Sequence, residues 1–138
     1  MNKKIISQNC NLSCYTTIKV GGVAQYFAEP KNIEEFSYLI KWANLNEQRC
    51  QIIGAGSNLL INNIVIKGLV ICTKKMKSLT IDPYSGIVEA EAGVMLPTLS
   101  NSLAKNGLQG GEWAVGIPGT LGGAIYMNAG SNNLSSLK

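Results

Sequence analysis

A glycine-rich stretch towards the end of the sequence limits the possible folds more than any other feature. Six glycines fall between Gly110 and Gly123, too many for a long regular helix or strand. Pro118 fixes its own φ and favours an extended conformation at Ile117. Residues 116–130 therefore offer a rigid backbone with few side chains, which can lie against a flat aromatic ligand or pack closely inside the protein.

A second glycine motif directly follows an apolar strand that we predict at Cys50–Ile53. Its Gly-Ala-Gly run at residues 54–56 allows successive backbone N–H groups to turn towards one point and form an anion-binding nest. Ser57 and Asn58 add polar side chains, so a phosphate or pyrophosphate is the expected guest. Leu59 stands where the Rossmann fingerprint has its third glycine, which excludes that motif. A plain strand-to-helix turn is the alternative interpretation.

Local signals predict an α+β chain. Asn32 is a helix cap with Glu35 as its capping-box partner, and apolar residues recur at helical spacing after it. Residues 1–14 are polar and are expected to be irregular. Helices are predicted at Ile33–Leu45 and Leu96–Lys105, and strands at residues 15–20, 24–28, 50–53, 69–73, 79–82 and 87–92, the last two forming a hairpin.

Composition excludes several classes of function. With 46% hydrophobic and 14% charged residues, the chain is expected to be globular. The net charge of +4 is modest, and the cluster of Lys74, Lys75 and Lys77 is expected to be a solvated face rather than a nucleic-acid site. There is no histidine, and Cys50 and Cys72 are expected to be buried free thiols, so no metal site is predicted. No signal peptide or membrane span is recognised, which predicts a cytoplasmic protein.

Four blocks occur in the order and spacing of a known enzyme family. They are residues 16–22, Glu29-Pro30, residues 54–60 and residues 116–130. In these blocks the chain resembles the UDP-N-acetylenolpyruvoylglucosamine reductases, the MurB family. The chain departs from the family pattern at Thr16, where the family usually has asparagine, and after residue 130, which puts the substrate-side contacts there in question.

The resemblance implies an α+β chain with the FAD-binding PCMH or vanillyl-alcohol-oxidase-like fold. A small α/β subdomain at residues 1–75 would precede a larger mixed α+β subdomain at residues 76–138, with FAD between them. The second subdomain would be truncated, and the C-terminal substrate-binding domain would be absent.

The resemblance also implies site residues whose side chains are mostly small or absent. The pyrophosphate side of FAD would be held by Ile53, Gly54, Ala55, Gly56, Ser57, Asn58 and Leu59. The isoalloxazine and nearby atoms would be lined by Gly116, Ile117, Pro118, Gly119, Thr120, Gly122, Gly123 and Ala124. Tyr126 and Asn128 would lie towards the substrate.

The implied reaction is the NADPH-dependent reduction of UDP-N-acetylglucosamine enolpyruvate to UDP-N-acetylmuramate, a step of peptidoglycan precursor synthesis. The family's catalytic Arg, Ser and Glu belong to later segments, and Arg49 is the only arginine here, so no catalytic residue is assigned. The chain alone is expected to be inactive. FAD, NADPH and a UDP-sugar are the expected partners of a monomeric parent enzyme that binds neither nucleic acid nor membrane.

Two alternatives remain at this point. One is another FAD-dependent oxidoreductase of the same fold; such enzymes commonly attach FAD through His or Cys, and this chain has no histidine. The other is a non-catalytic nucleotide-binding module whose glycines serve packing only.

Overall fold

The computed structural model describes residues 5–131 and 134–135, which form two compact units. The first unit ends at Lys75 and the second begins at Met76. In chain order the strands and α-helices are β1 (Ile6–Asn11), β2 (Val23–Ala28), α1 (Ile33–Leu45), β3 (Cys50–Ile53), β4 (Val65–Cys72), β5 (Leu79–Ile81), β6 (Val88–Ala90), α2 (Leu96–Lys105), α3 (Leu121–Met127), β7 (Gly130–Ser131) and β8 (Leu134–Ser135). Short 3-10 helices lie at Leu12–Tyr15, Thr73–Lys75 and Glu112–Ala114.

The four-stranded sheet of the first unit has the order β1-β2-β4-β3. β1 runs antiparallel to β2, whereas β4 pairs in parallel with both β2 and β3. Ile53 lies opposite Cys72, so β3 and β4 end side by side. The segments that follow them therefore start at the same end of this parallel pair of strands. They are residues 54–59, called the glycine loop below, and the 3-10 helix Thr73–Lys75.

Both faces of the sheet are buried around β4, whose last five residues are all buried. Such a continuous apolar run is typical of a strand covered on both sides. On the first face, Val70 and Cys72 of β4 pack with Leu12, Phe27 and Ile53. Ile53 is the last residue of β3, so this core cluster reaches the start of the glycine loop.

The second face of the sheet is covered by α1. Leu39 of this helix is fully buried and packs in one cluster with Leu69 and Ile71 of β4. Trp42 is half-buried in the same cluster and meets the ring of Tyr26 edge to face, with 5.2 Å between the ring centres. Apolar packing therefore fixes α1 on the sheet.

The predicted bounds of α1 are confirmed at both ends. The Oδ1 of Asn32 accepts a hydrogen bond from the N–H of Glu35 at 2.9 Å. The carboxylate of Glu35 accepts from the N–H of Lys31 at 2.8 Å, one residue before the expected partner. The cap therefore satisfies two backbone donors at the start of the helix.

Two predictions near the N-terminus are wrong. Residues 6–11 belong to the stretch predicted to be irregular, yet they form β1, which pairs with β2. This edge strand is mostly exposed, so its sequence has no apolar alternation. The strand predicted at residues 15–20 is a turn: the hydroxyl of Thr16 donates to the carbonyl of Val20 at 2.8 Å, and Lys19 has φ of 58°. Local bonding here overrides the β propensity of the residues.

The prediction for the cysteines is half right. Cys72 is fully buried, whereas Cys50 is exposed. Cys50 lies on β3, the edge strand beyond the part of the sheet that α1 covers, and its neighbour Ile52 is also 57% exposed. All four cysteines are free thiols.

The second unit begins with the predicted hairpin of β5 and β6, in which Leu79 lies opposite Ala90. At its turn Asp82 accepts hydrogen bonds from the Ser85 hydroxyl and the Tyr84 N–H, which hold the pKa of its carboxyl below the ordinary range. These bonds fix the turn that sequence reasoning placed there.

The helix α2 has the predicted bounds, Leu96–Lys105. Its first residue, Leu96, forms a core cluster with Ala114 and Ala124, against which the half-buried Trp113 packs. This small core holds the start of α2 and α3 together. None of the helices in the described ranges has the length and apolar character that a membrane span requires.

We predict that Leu39→Ala lowers the free energy of unfolding by about 2–5 kcal/mol, because it leaves a cavity between α1 and the sheet. The matched control is Leu45→Ala, the same change on the same helix at a side chain that is 85% exposed. It should change stability by less than about 0.5 kcal/mol. Urea unfolding followed by circular dichroism measures both, and equal losses would contradict the assignment of Leu39 to the core.

Candidate functional site

The start of the glycine loop is held from behind by two side chains that follow β4. The Thr73 hydroxyl donates to the carbonyl oxygen of Ile53 at 3.3 Å, and the Cys72 thiol donates to that of Gly54 at 3.6 Å. Both donors are buried. The parallel ends of β3 and β4 bring these residues together although 18 to 20 positions separate them in the sequence.

The middle of the glycine loop is held from the N-terminal side by Thr17. Both its N–H and its hydroxyl donate to the carbonyl oxygen of Gly56, at 3.2 and 3.4 Å. Gly56 has φ of 73°, and a Cβ built on it would lie 1.9 Å from the carbonyl oxygen of Tyr15. Only glycine fits here, because of both the backbone conformation and the close approach.

These hydrogen bonds determine where the loop's donors point. No peptide bond among the described residues is cis, and in a trans peptide the N–H points opposite to the carbonyl that shares its plane. The carbonyls of residues 53, 54 and 56 are turned towards the protein. The N–H groups of Gly54, Ala55 and Ser57 therefore point away from those anchors.

The other predicted residues of the loop differ in exposure. Ile53 is a core residue, 8% exposed, which offers its backbone rather than its side chain. Ser57 is half-buried, and Asn58 and Leu59 are exposed. No helix lies between β3 and β4, so the alternative of a strand-to-helix turn is wrong.

Residues 116–124, called the glycine segment below, lie in the second unit and lead into α3. Gly116 and Pro118 are exposed, whereas Ile117 packs against the core around Leu96. Gly119 has φ of 138°, a conformation that favours glycine. The segment thus exposes backbone on one side and is anchored by an apolar side chain on the other.

The first N–H groups of α3 are satisfied within the unit. Leu121 and Gly122 donate to the carbonyls of Val94 and Ala92, at 2.7 and 2.9 Å. Gly123 donates to the hydroxyl of its N-cap, Thr120, at 3.4 Å. The start of this short helix therefore has no such donors to offer an anion, and a ligand would meet its backbone surface instead.

Two kinds of glycine occur in this segment. A Cβ on Gly122 would lie 2.8 Å from the Cβ of Ala92, so internal packing explains this glycine. A Cβ on Gly123 would come no closer than 3.4 Å to another atom, and one on Gly116 would meet nothing within 4 Å. Packing within the unit therefore does not require glycine at these two positions.

The two residues predicted on the substrate side lie at the end of α3. Tyr126 is 88% exposed. Asn128 caps the helix in the left-handed conformation, with φ of 46° and ψ of 47°, and its N–H donates to the carbonyl of Ile125 at 3.2 Å. Residues 132 and 133, where the chain departs from the family pattern, lie outside the described residues.

Tyr15 links the glycine loop to a small charged group in the first unit. Its hydroxyl donates to the carboxylate of Glu29 at 3.4 Å, and Lys75 forms an ion pair with the same oxygen at 2.7 Å. Burial, followed by the nearby carboxylate, raises the pKa of Tyr15 to about 12. Its ring also packs on Phe27, with 4.4 Å between centres. Tyr15 therefore stays a neutral donor at physiological pH.

The sequence predicts the two glycine segments as site candidates, but it does not single out the residues that bind the carbonyls of the glycine loop: Thr17, Cys72 and Thr73. Thr17 lies in the first family-like block, but nothing local shows that it meets residue 56. Within the described part of the chain no group of three potential ligands could hold a metal ion.

Comparisons with known proteins relate the chain to FAD-binding proteins. A family model described as "FAD binding domain" matches residues 24–136. The chain is 68% identical over 135 residues to the UDP-N-acetylenolpyruvoylglucosamine reductase of Prochlorococcus marinus subsp. pastoris (strain MED4), covering 98% of this chain and 46% of that protein. It is 44% identical over 128 residues to the same-named reductase of Trichormus variabilis, covering 93% of this chain and 39% of that protein. The chain thus spans less than half the length of these curated relatives.

Solved structures show the same relation. The reductase crystal structure from Thermus caldophilus matches with a TM-score of 0.69 at 32% identity, covering 94% of this chain and 44% of that one. The 6-hydroxy-D-nicotine oxidase of Arthrobacter nicotinovorans matches with a TM-score of 0.55 at 19% identity, covering 67% of this chain and 20% of that one. The second likeness shows the fold alone. The prediction of an α+β FAD-binding fold of the vanillyl-alcohol-oxidase-like type is confirmed, as is the resemblance to the reductases.

We predict that Gly56→Ala lowers the free energy of unfolding by more than about 3 kcal/mol, because the new Cβ adds a backbone clash to the strain of a positive φ. Gly107→Ala is the matched control: its φ is 70°, against 73° at Gly56, but a Cβ there meets nothing within 4 Å. It should cost only about 1–2 kcal/mol. Urea unfolding measures both; similar losses would contradict the close approach of Gly56 to Tyr15.

A second prediction concerns alkaline pH. Folding raises the pKa of Tyr15 from 10.0 to about 12, so the folded state holds the phenolic proton more tightly. The resulting stabilisation is fully present below pH 10 and is lost as the pH rises from 10 to 12. The free energy of unfolding should therefore fall more steeply over this interval in the unaltered chain than in Tyr15→Phe. Parallel slopes in urea unfolding at stepped pH would contradict the burial of this hydroxyl.

Proposed function

This chain belongs to the FAD binding domain family, and on that premise we propose that it binds FAD through the glycine loop and the glycine segment. The orientation of the glycine loop carries the proposal. Its inward carbonyls leave the N–H groups of Gly54, Ala55 and Ser57 directed away from their anchors. A diphosphate fits such a set of donors, because backbone N–H groups bind anionic oxygens without adding positive side chains. Asn58 and Leu59 continue this surface beyond the phosphates.

In the second unit, we propose that the glycine segment lies against the isoalloxazine and nearby atoms of FAD. Gly116 and Gly123 support this assignment, because neither is required by contacts within the unit. Thr120 is 1% exposed and caps α3, so it shapes the segment from below. Ala124 is also buried and forms the base of the segment. Pro118 and Gly119 fix the approach of the backbone to the ring.

For the whole protein, we propose the NADPH-dependent reduction of UDP-N-acetylglucosamine enolpyruvate to UDP-N-acetylmuramate, in peptidoglycan precursor synthesis. The support is the reductase name carried by relatives of this chain, among them the Prochlorococcus marinus protein that is 68% identical to it. NADPH as the reductant, a monomeric state and a cytoplasmic location belong to this proposal. No residue of the chain is assigned a catalytic role, and Tyr126 and Asn128 are proposed to lie towards the UDP-sugar.

The bound flavin would supply hydride transfer between the nicotinamide and the double bond of the substrate. This chain's own contribution is to bind and orient. The glycine loop would hold the diphosphate, and the first-face core beneath it, with Ile53 and Cys72, keeps the loop rigid. The exposed backbone at Gly123 would let the ring approach closely.

We predict that the chain binds FAD and that Gly123→Leu weakens binding at least about tenfold, because a side chain would occupy the ring's place; a factor of ten corresponds to about 1.4 kcal/mol. Stability should not fall much, since leucine favours a helix more than glycine does. Asn101→Leu, at an exposed position of α2 outside the proposed site, is the control and should leave affinity unchanged. Quenching of flavin fluorescence on titration measures Kd.

The outcomes separate the possible functions. Absence of bound flavin after incubation and gel filtration would contradict FAD binding by this chain. Binding of ADP without any preference for FAD would favour a nucleotide-binding module instead. Turnover of UDP-N-acetylglucosamine enolpyruvate with NADPH by the whole protein tests the reductase proposal independently of the affinity of this chain.

A further inference from the structure

The carbonyl anchors of the glycine loop come from outside the loop and from two different parts of the first unit. Thr17 follows the first 3-10 helix, whereas Cys72 ends β4 and Thr73 begins the next 3-10 helix. Together they bind three of the four carbonyl oxygens between residues 53 and 56. Since the β-ladder itself ends at Ile53, these side chains continue its hydrogen bonding into the loop.

We propose that Thr17, Cys72 and Thr73 are positioning residues for the diphosphate of the bound dinucleotide. They bind the carbonyls of the loop rather than its N–H groups, and they set the affinity of the loop without contacting the ligand. This inference rests on the proposed binding of FAD. It adds a cause for the binding: the nest is formed in advance, so the ligand does not bear the cost of ordering it.

The two buried donors have little freedom to bond elsewhere. Cys72 is 0% exposed and Thr73 is 4% exposed. A buried hydroxyl that lost its acceptor would be left unsatisfied, which costs free energy. The Thr73 hydroxyl therefore holds the carbonyl of Ile53, and with it the plane of the peptide that carries the N–H of Gly54.

Thr17 is itself held in place by the turn that contains it. The hydroxyl of Thr16, 2% exposed, donates to the carbonyl of Val20 at 2.8 Å, and the N–H of Lys19 donates to the carbonyl of Thr16 at 3.3 Å. This turn replaces the strand that the sequence predicts, and it brings two donors of Thr17 onto one oxygen of Gly56. The peptide between Gly56 and Ser57 is fixed as a result.

A positioning role through the phosphates has a distinctive signature. Loss of an anchor should weaken FAD and ADP by the same factor, because both carry the diphosphate that the nest binds. Riboflavin, which has no phosphate, should be unaffected. A residue that served only the stability of the unit would show no such division among ligands.

The test uses Thr17→Val, Thr73→Val and the double variant in the 138-residue chain, titrated with FAD, ADP and riboflavin. Each single change should weaken FAD and ADP about three- to tenfold, the range for one neutral hydrogen bond, and the double change should weaken them more. Thr17→Ser and Thr73→Ser keep the hydroxyl and should stay within about twofold of the unaltered chain.

The matched control is Ile71→Val, which removes one methylene from the second face of the sheet, opposite to the face on which Ile53 and Cys72 pack. It should lower the unfolding midpoint and leave all affinities unchanged. Wild-type FAD and ADP affinity in both valine variants would overturn the inference alone. Failure of the unaltered chain to bind either ligand would instead overturn the proposed function, and the inference with it.

Discussion

The parallel pairing of β3 with β4 is the interaction on which the candidate site depends. Its register places Ile53 opposite Cys72, so the glycine loop leaves the sheet beside the residues that hold its carbonyls. A shift of one residue would move Cys72 from the first face to the face covered by α1. The core alternation that fixes this register therefore also fixes the direction of the loop's N–H groups.

The two glycine segments use the absence of a side chain in different ways. In the glycine loop, glycine permits a positive φ and a close approach to Tyr15. The carbonyls of the loop accept hydrogen bonds from the protein, so the N–H groups of the same peptides point away from these donors. At the start of α3 the N–H groups themselves are hydrogen-bonded within the unit, to Val94, Ala92 and Thr120. The first arrangement suits an anion, and the second suits a flat, uncharged surface. This division fits the proposal that the two segments bind different ends of FAD.

Sequence reasoning succeeded where the signal was local. The caps and apolar spacing of α1 and α2 gave their bounds, and the turn around Asp82 gave the hairpin, because the interactions that decide these elements span only a few residues. It failed where distant partners decide. The edge strand β1 is held by its ladder rather than by an apolar stripe, and Cys50 is exposed because α1 stops short of the outer strand.

The site divides in the same way. Bare backbone is visible in the glycines themselves, so both segments could be found from the sequence. The anchors could not, because Thr17 lies 39 residues from Gly56 and looks like part of a strand. The hydrogen bonds of the first N–H groups of α3 could not be predicted from the sequence either, since Ala92 and Val94 meet the helix only in the folded unit.

The placement of the aromatic residues gives the molecule a built-in optical probe for each unit. The chain has two tryptophans, Trp42 in the first unit and Trp113 in the second, and each is half-buried against its own apolar core. Replacing either one with phenylalanine would leave a single indole whose emission reports on one unit alone. Comparing the emission of the two variants during unfolding would show which unit unfolds first, and repeating it with FAD would show which unit the ligand stabilises.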